Sequence, residues 1–389
     1  MSPELVGPLD IGPVAHGGHC VARFDGRVIF VRHAIPGEKV MVAITDDSKA
    51  AFWRGDAVEI IDASPDRVVP PCPVAGQCGG CDFQHVSLPG QRALKAAVVR
   101  EQVAHLAGIE WLGEVEDVGP VDGLGWRTRM RYLGVEVDGV DWLGMRAHRS
   151  HDVVPIPLSG CPIAAPGVDL EELALLAADS GREVGCVVPS TGRPRLLVDG
   201  RTIEGSPTVT EQAAGRRFRV PAGGFWQVHP SAADVLVDAV VSGLAPRAGE
   251  TALDLYCGVG LFAGALADEG AKVTGVELDR RATREAAKNV PGARFIAARL
   301  EKALDRLPRR TDLVVLDPPR TGAGAGVIGH IVGLRPRAIA HVACDPAALG
   351  RDLATYARQG WRLESLRAFD LFPMTHHVEC VAILLPAST

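Results

Sequence analysis

The run TALDLYCGVGLF, residues 251–262, admits few folds. An apolar strand, Thr251–Tyr256, breaks at Gly258 and Gly260 and passes directly into a helix-forming stretch. Glycines at such a turn let a ligand lie against the backbone at the helix start. The next apolar run, Lys272–Glu277, ends on Glu277, 23 positions after Asp254. A carboxylate at the end of a second strand is placed to bind a ribose. Further strands are expected at Arg294–Ala297, Asp312–Leu316, Arg337–Val342 and His377–Leu385, with helical stretches between them. Residues 221–389 therefore read as a doubly wound α/β sheet. The pattern fits NAD and S-adenosylmethionine alike.

Three later motifs narrow the chemistry. LVVLDPPR sets Asp317, Pro318 and Pro319 at a strand's carboxyl edge. That edge is where open sheets bind ligands, and the loop resembles the acidic or amide Pro-Pro loop of methyltransferases that act on extruded bases. Alone it suits methylation of an exocyclic amine equally well. In HVACDPAALGRDL, Asp345 suits a helix N-cap and Pro346 the first helical position. Cys344 is thus expected at a helix N-terminus, where the dipole favours the thiolate and the neighbouring Asp345 opposes it. In THHVECVAILL, Glu379 opens an otherwise apolar strand, so it needs a partner, solvent or a function. A nucleophilic thiol together with a base points to carbon methylation of a pyrimidine. C5 is a poor nucleophile until a thiolate adds to C6, and the C5 proton must then be removed. Amine methylation needs neither group.

The nine cysteines are unevenly spread: Cys72, Cys78 and Cys81 crowd into CPVAGQCGGC. Outside a secreted scaffold, such a cluster indicates metal or redox chemistry more often than disulfides. Cys161, in SGCP, is the best fourth ligand, and four thiolates suit iron–sulfur and zinc alike. Residues 1–62 hold five short strand signals, one pair joined by Asp25-Gly26, and read as an OB-like barrel. Residues 63–220 contain the cysteines, a helix over 88–107, and hairpin signals at Asp138-Gly139 and Asp199-Gly200, giving a mostly antiparallel α+β domain. Its Arg127, Arg129, Arg131, Arg146 and Arg149 lie among Trp126, Tyr132 and Trp142, which suits phosphates and unstacked bases and equally a solvated sheet face.

The formal charge of −6 excludes a generally basic nucleic-acid coat but not a local basic groove. No apolar run approaches the ~18 residues a membrane helix needs, and the N-terminus is not a secretory signal. A soluble, cytoplasmic chain is expected.

Taken together, the chain resembles the RNA uracil-5-methyltransferases of the RumA/TrmA family over essentially its whole length. GGHCVARFDGRVIFVRHAIPGEKV is similar to a TRAM domain, and CPVAGQCGGCDFQH to the cluster motif of the RumA branch. The resemblance implies a [4Fe-4S] cluster on Cys72, Cys78, Cys81 and Cys161, and S-adenosylmethionine as methyl donor. It carries over Gln227 of GGFWQVHP, Tyr256, Glu277 and Asp317 as pocket positions, beside the cofactor-binding Gly258 and Gly260 already read from the glycine turn. Cys344 matches the nucleophile and Glu379 the base. It implies an RNA substrate, 23S rRNA favoured and tRNA the alternative, and a monomer without membrane contact. Three positions depart from the pattern: Asp345, His229 and Leu261 stand where the family commonly has Asn. Cys186, Cys257 and Cys380 read as core residues, His376 and His377 as turn residues, and Asp254 as a loop-shaping carboxylate. Competing readings are an exocyclic-amine methyltransferase, a methylthiotransferase, and a non-catalytic RNA-binding assembly protein.

Overall fold

The computed structural model describes residues 4–180 and 182–387. Residues 1–3, 181, 388 and 389, which fall within the expected regions 1–62, 63–220 and 221–389, lie outside the described residues.

The barrel strands are Leu5–Asp10, Cys20–Phe24, Arg27–Arg32, Lys39–Asp46 and Phe52–Asp62, in the order first, fourth, fifth, third, second. Asp25 (φ 48°) and Gly26 (φ 78°) make the left-handed two-residue turn that matches the twist of the strands they join. The barrel interior, with Ile29, Val31, Val40 and Val42, is completed by Phe83, Val86, Leu94 and Val98 from the following segment. That segment includes the helix Leu88–Ala107, capped by Ser87, whose hydroxyl accepts from Gly90 N, and ended by Gly108 at φ 66°. Its other side, through Ala96, Val99 and Val103, enters the core of the C-terminal sheet. One helix therefore belongs to two cores and fixes the barrel against the C-terminal region.

The central sheet is six-stranded and antiparallel, built on the hairpin Arg129–Val137/Val140–Arg146 and covered by the helix Leu170–Ser180. The C-terminal sheet has eight strands. Arg294–Ala297, Lys272–Glu277, Thr251–Leu255, Leu313–Leu316 and Ala338–Ala343 run parallel in that spatial order. Glu379–Pro386 then pairs antiparallel with Ala338–Ala343 and with Trp361–Phe369. A two-residue strand, Val115–Glu116, extends the outer edge. The hairpin Thr208–Ala213/Arg216–Pro221 contributes Val209, Ala213, Phe218 and Val220 to the core of this sheet. No helix among the described residues is long and apolar enough to cross a membrane.

Candidate active site

The carboxyl ends of four adjacent strands place the site. Asp254 is fully buried; its Oδ2 accepts from Ala263 N at 2.7 Å and its Oδ1 has no partner. Burial, reinforced by Asp317 and Glu277, pushes its pKa up to about 8. Beyond it, Tyr256, Gly258 and Gly260 adopt positive φ (63°, 53° and 89°), folding the turn that starts the helix Leu261–Asp268. Glu277 braces this turn, accepting from Gly258 N at 3.0 Å and from Asp279 N at 2.7 Å. Asp317 follows the strand Leu313–Leu316, and burial raises its pKa to about 7. Asp352 accepts from Ala323 N and Gly324 N, which ties the Pro-Pro loop to the helix Pro346–Arg358.

Strand register brings the two proposed reacting groups together. Ala343 pairs antiparallel with Cys380, so the next position sets Cys344 opposite Glu379. Burial, then Glu379 and Asp317, push the Cys344 thiol up to about 12, opposed by Arg320. To the two opposing influences expected at Cys344, the helix dipole and Asp345, the fold adds burial and two carboxylates delivered by neighbouring strands, and the net direction is away from the thiolate. Glu379, 4% exposed, lies well above the ordinary carboxylate range, through burial and Asp317. Arg320 lies near both groups and contacts His377 Nε2 at 3.3 Å. Cys344, Arg320, His376 and His377 share a cavity of about 210 Å³ with Lys95 and the barrel turn His16–Gly18.

The other expected residues are placed as follows. Gln227 is buried, 9% exposed, in the loop before the helix Ala232–Leu244; its neighbour Val228 accepts from Thr128 N and Oγ1 of the central region. Among the described residues no hydrogen bond joins the Gln227 side chain to Asp254, Glu277 or Asp317. His229 donates Nε2–H to Gly119 O at 2.7 Å and accepts from Ser231 N, a structural tie of a neutral imidazole. Leu261 is core. Cys186, Cys257 and Cys380 are buried.

Cys72, Cys78, Cys81 and Cys161 line one small enclosed cavity with Met145, Ile156 and Ile163. Burial raises the Cys78, Cys81 and Cys161 thiols. Gly80 N donates to Cys78 Sγ at 3.4 Å, and a Cβ on Gly79 would meet Arg146 O and His148 N at 2.9 Å. Among the described residues no group of His, Cys, Asp or Glu is disposed to hold a metal ion as it stands. The donor set nonetheless fits a soft metal centre: four convergent thiols in apolar walls, with a backbone N–H aimed at sulfur.

Sequence reading missed the groups that hold the segment before Glu379. Lys95 Nζ, fully buried, donates to Asp370 Oδ1 at 2.5 Å and to Phe372 O at 3.0 Å. Asp82, next to Cys81, accepts from His376 N at 3.2 Å and contacts its Nδ1 at 2.6 Å, while the backbone N–H groups of Asp82 and Phe83 donate to Met374 O. The available signal was Lys95 itself, a cation on the apolar face of the helix Leu88–Ala107 beside Leu94, Val98 and Val99. Lys95→Met leaves Asp370 buried and unpaired, and is expected to cost about 3–5 kcal/mol of unfolding free energy. Urea titration showing under about 1 kcal/mol would contradict this; removing both charges, as in K95M/D370L, should recover most of the loss.

The model of the family described as tRNA (uracil-5-)-methyltransferase matches residues 187–387, and that of the TRAM domain matches residues 6–58. An uncharacterised RNA methyltransferase of Streptomyces avermitilis is 48% identical, over 98% of this chain and 98% of its own length. Another, from Bifidobacterium longum, is 36% identical over 95% and 94%. Among solved structures, the tRNA (uracil-54, C5)-methyltransferase of Pyrococcus abyssi, in complex with S-adenosyl-L-homocysteine, superposes with a TM-score of 0.72 at 23% identity, covering 97% of this chain and 99% of that one.

Proposed function

We propose, from the premise that this chain belongs to the tRNA (uracil-5-)-methyltransferase family, that it methylates C5 of a uridine in RNA, with Cys344 as nucleophile and Glu379 as base. The observation that carries this reading is the register that sets a cavity-lining thiol opposite a buried carboxylate on the neighbouring strand. Cys344 Sγ adds to C6 of the extruded uracil and leaves C5 electron-rich. S-adenosylmethionine, which the glycine turn would hold, would supply the methyl group to C5 and leave as S-adenosylhomocysteine. Glu379 then takes the C5 proton, and elimination of the thiolate from C6 restores the C5–C6 double bond. Asp254 fits such a donor because Asp317 and Glu277 add to the rise that burial causes in its pKa, a surplus of carboxylates that a nearby sulfonium cation would relieve. Gln227, Tyr256, Gly258 and Gly260 complete the cofactor set.

Both Cys344 and Glu379 work deprotonated, and both are shifted upward. The rate kcat/KM is therefore expected to climb steadily from pH 6 to pH 9, without a plateau beginning near an ordinary carboxylate pKa of about 4.3. A profile flat across that range would contradict the assignment.

Residues 1–62 act in this reading as a TRAM barrel that grips RNA, 63–220 as the cluster-bearing domain and 221–389 as the methyltransferase domain. Cys72, Cys78, Cys81 and Cys161 hold a [4Fe-4S] cluster with a structural role, since the proposed reaction moves no electrons. The anaerobically purified chain should carry about four iron and four labile sulfide atoms, lost together in Cys161→Ser. Stoichiometric zinc in their place would remove this part of the reading. Barrel and cluster together favour 23S rRNA as substrate; the transfer-RNA name of the matching family favours tRNA as the second reading. A cytoplasmic monomer completes the reading.

A further inference from the structure

One ion pair joins the barrel to the nucleophile's own neighbour, and the mechanism above does not use it. His16 lies in the turn between the strands Leu5–Asp10 and Cys20–Phe24, and its Nε2 stands 3.0 Å from Asp345 Oδ2, 329 positions away in sequence. The other oxygen of Asp345 caps the helix Pro346–Arg358, accepting from Ala348 N at 2.7 Å. A second contact seats the same turn: Gly18, at φ 81°, lies so close to the segment before Glu379 that a Cβ would stand 2.7 Å from His376 Cβ. The turn thus rests on both segments that carry the reacting groups, and His16 lines the cavity that holds Cys344.

Asp345 follows Cys344 directly, and an uncompensated carboxylate there opposes formation of the thiolate. We propose that His16 is a positioning residue: as an imidazolium it neutralises Asp345, keeps that carboxylate on the helix cap and away from Cys344, and so makes barrel docking a condition for nucleophile activation. This rests on reading Cys344 as the nucleophile. Asp345 favours the charged imidazole, with Glu101 assisting; burial and Arg351 oppose it, and the net direction is upward. Across the cavity it faces Lys95, Arg320, His376 and His377. The pair is present below the raised His16 pKa and dissolves as pH rises through it.

The test is peptide-resolved mass spectrometry of Cys344 alkylation by iodoacetamide in the anaerobically purified full chain, from pH 6 to pH 9. An uncompensated charge on the adjacent residue shifts a thiol by about one unit, so His16→Ala should slow alkylation about tenfold at pH 6.5 and converge with wild type at pH 9. His16→Ala combined with Asp345→Asn should return to within about twofold of wild type, because the opposing charge is gone as well. An unchanged His16→Ala rate, a deficit independent of pH, or no recovery in the double variant would each overturn the proposal. The readout does not need turnover. A wild type that makes no 5-methyluridine yet shows His16-dependent reactivity supports the pairing while failing the functional reading.

Discussion

Cys344→Ala is expected to lower methylation by more than about a thousandfold, to the uncatalysed background, while leaving RNA and cofactor affinity within about twofold. The reason is electronic. Uracil C5 attacks an electrophile only after a nucleophile has added at C6, and no other thiol is placed to add. Cys257 is buried in the glycine turn and Cys380 in the last strand, and Cys161 lies in the separate four-cysteine cavity. Cys344 is only partly buried and lines an open cavity, so loss of its sulfur leaves no dry void, and stability should change by less than about 1 kcal/mol. Single-turnover kinetics with a synthetic RNA separates the cases. Substantial activity in the variant would favour methylation of an exocyclic amine, which needs no covalent step.

Glu379→Gln should produce the opposite phenotype, accumulation instead of loss. The amide preserves the shape of a side chain that is 4% exposed but cannot accept the C5 proton, so the methylated adduct cannot collapse. Removing the carboxylate also removes one cause of the raised Cys344 pKa, so addition to C6 should be no slower than in the wild type. The expected result is a protein–RNA species that survives denaturing electrophoresis and grows to near one equivalent. Normal turnover with no shifted band would show that another group removes the proton.

Much of the fold was legible because its signals are local. Aspartate–glycine pairs marked three hairpins at Asp25, Asp138 and Asp199, each with positive φ. The helix expected over 88–107 is bounded by Ser87 and Gly108, a side-chain cap and a left-handed stop. Glycines after a strand of apolar residues marked the turn at Gly258 and Gly260. By contrast, Trp361–Phe369 escaped notice, since its sequence WRLESLRAF mixes charge into a strand at the sheet's outer side. Val115–Glu116 is too short to carry a period.

The site divided in the same way. Cys344 and Asp317 announced themselves as polar groups after an apolar run, and Glu379 as one that opens such a run. Their mutual effect did not, because it depends on register between strands that are far apart in sequence. The balance at the thiol was not legible for that reason: the dipole and Asp345 are visible in HVACDP, whereas the burial and the carboxylates at 317 and 379 that raise its pKa arise only in the fold. Lys95–Asp370, Asp82–His376 and His16–Asp345 are likewise long-range pairs, and all three fix the walls of the cavity instead of lining up in any motif.

The most direct measurement of the central claim is nucleoside mass spectrometry for 5-methyluridine in separated 23S rRNA and tRNA, from cells with and without this gene. The account predicts loss of the nucleoside from one fraction, 23S rRNA first, restored by the wild-type chain and not by Cys344→Ala. Unchanged 5-methyluridine in both fractions, in cells lacking any second enzyme for it, would contradict the account.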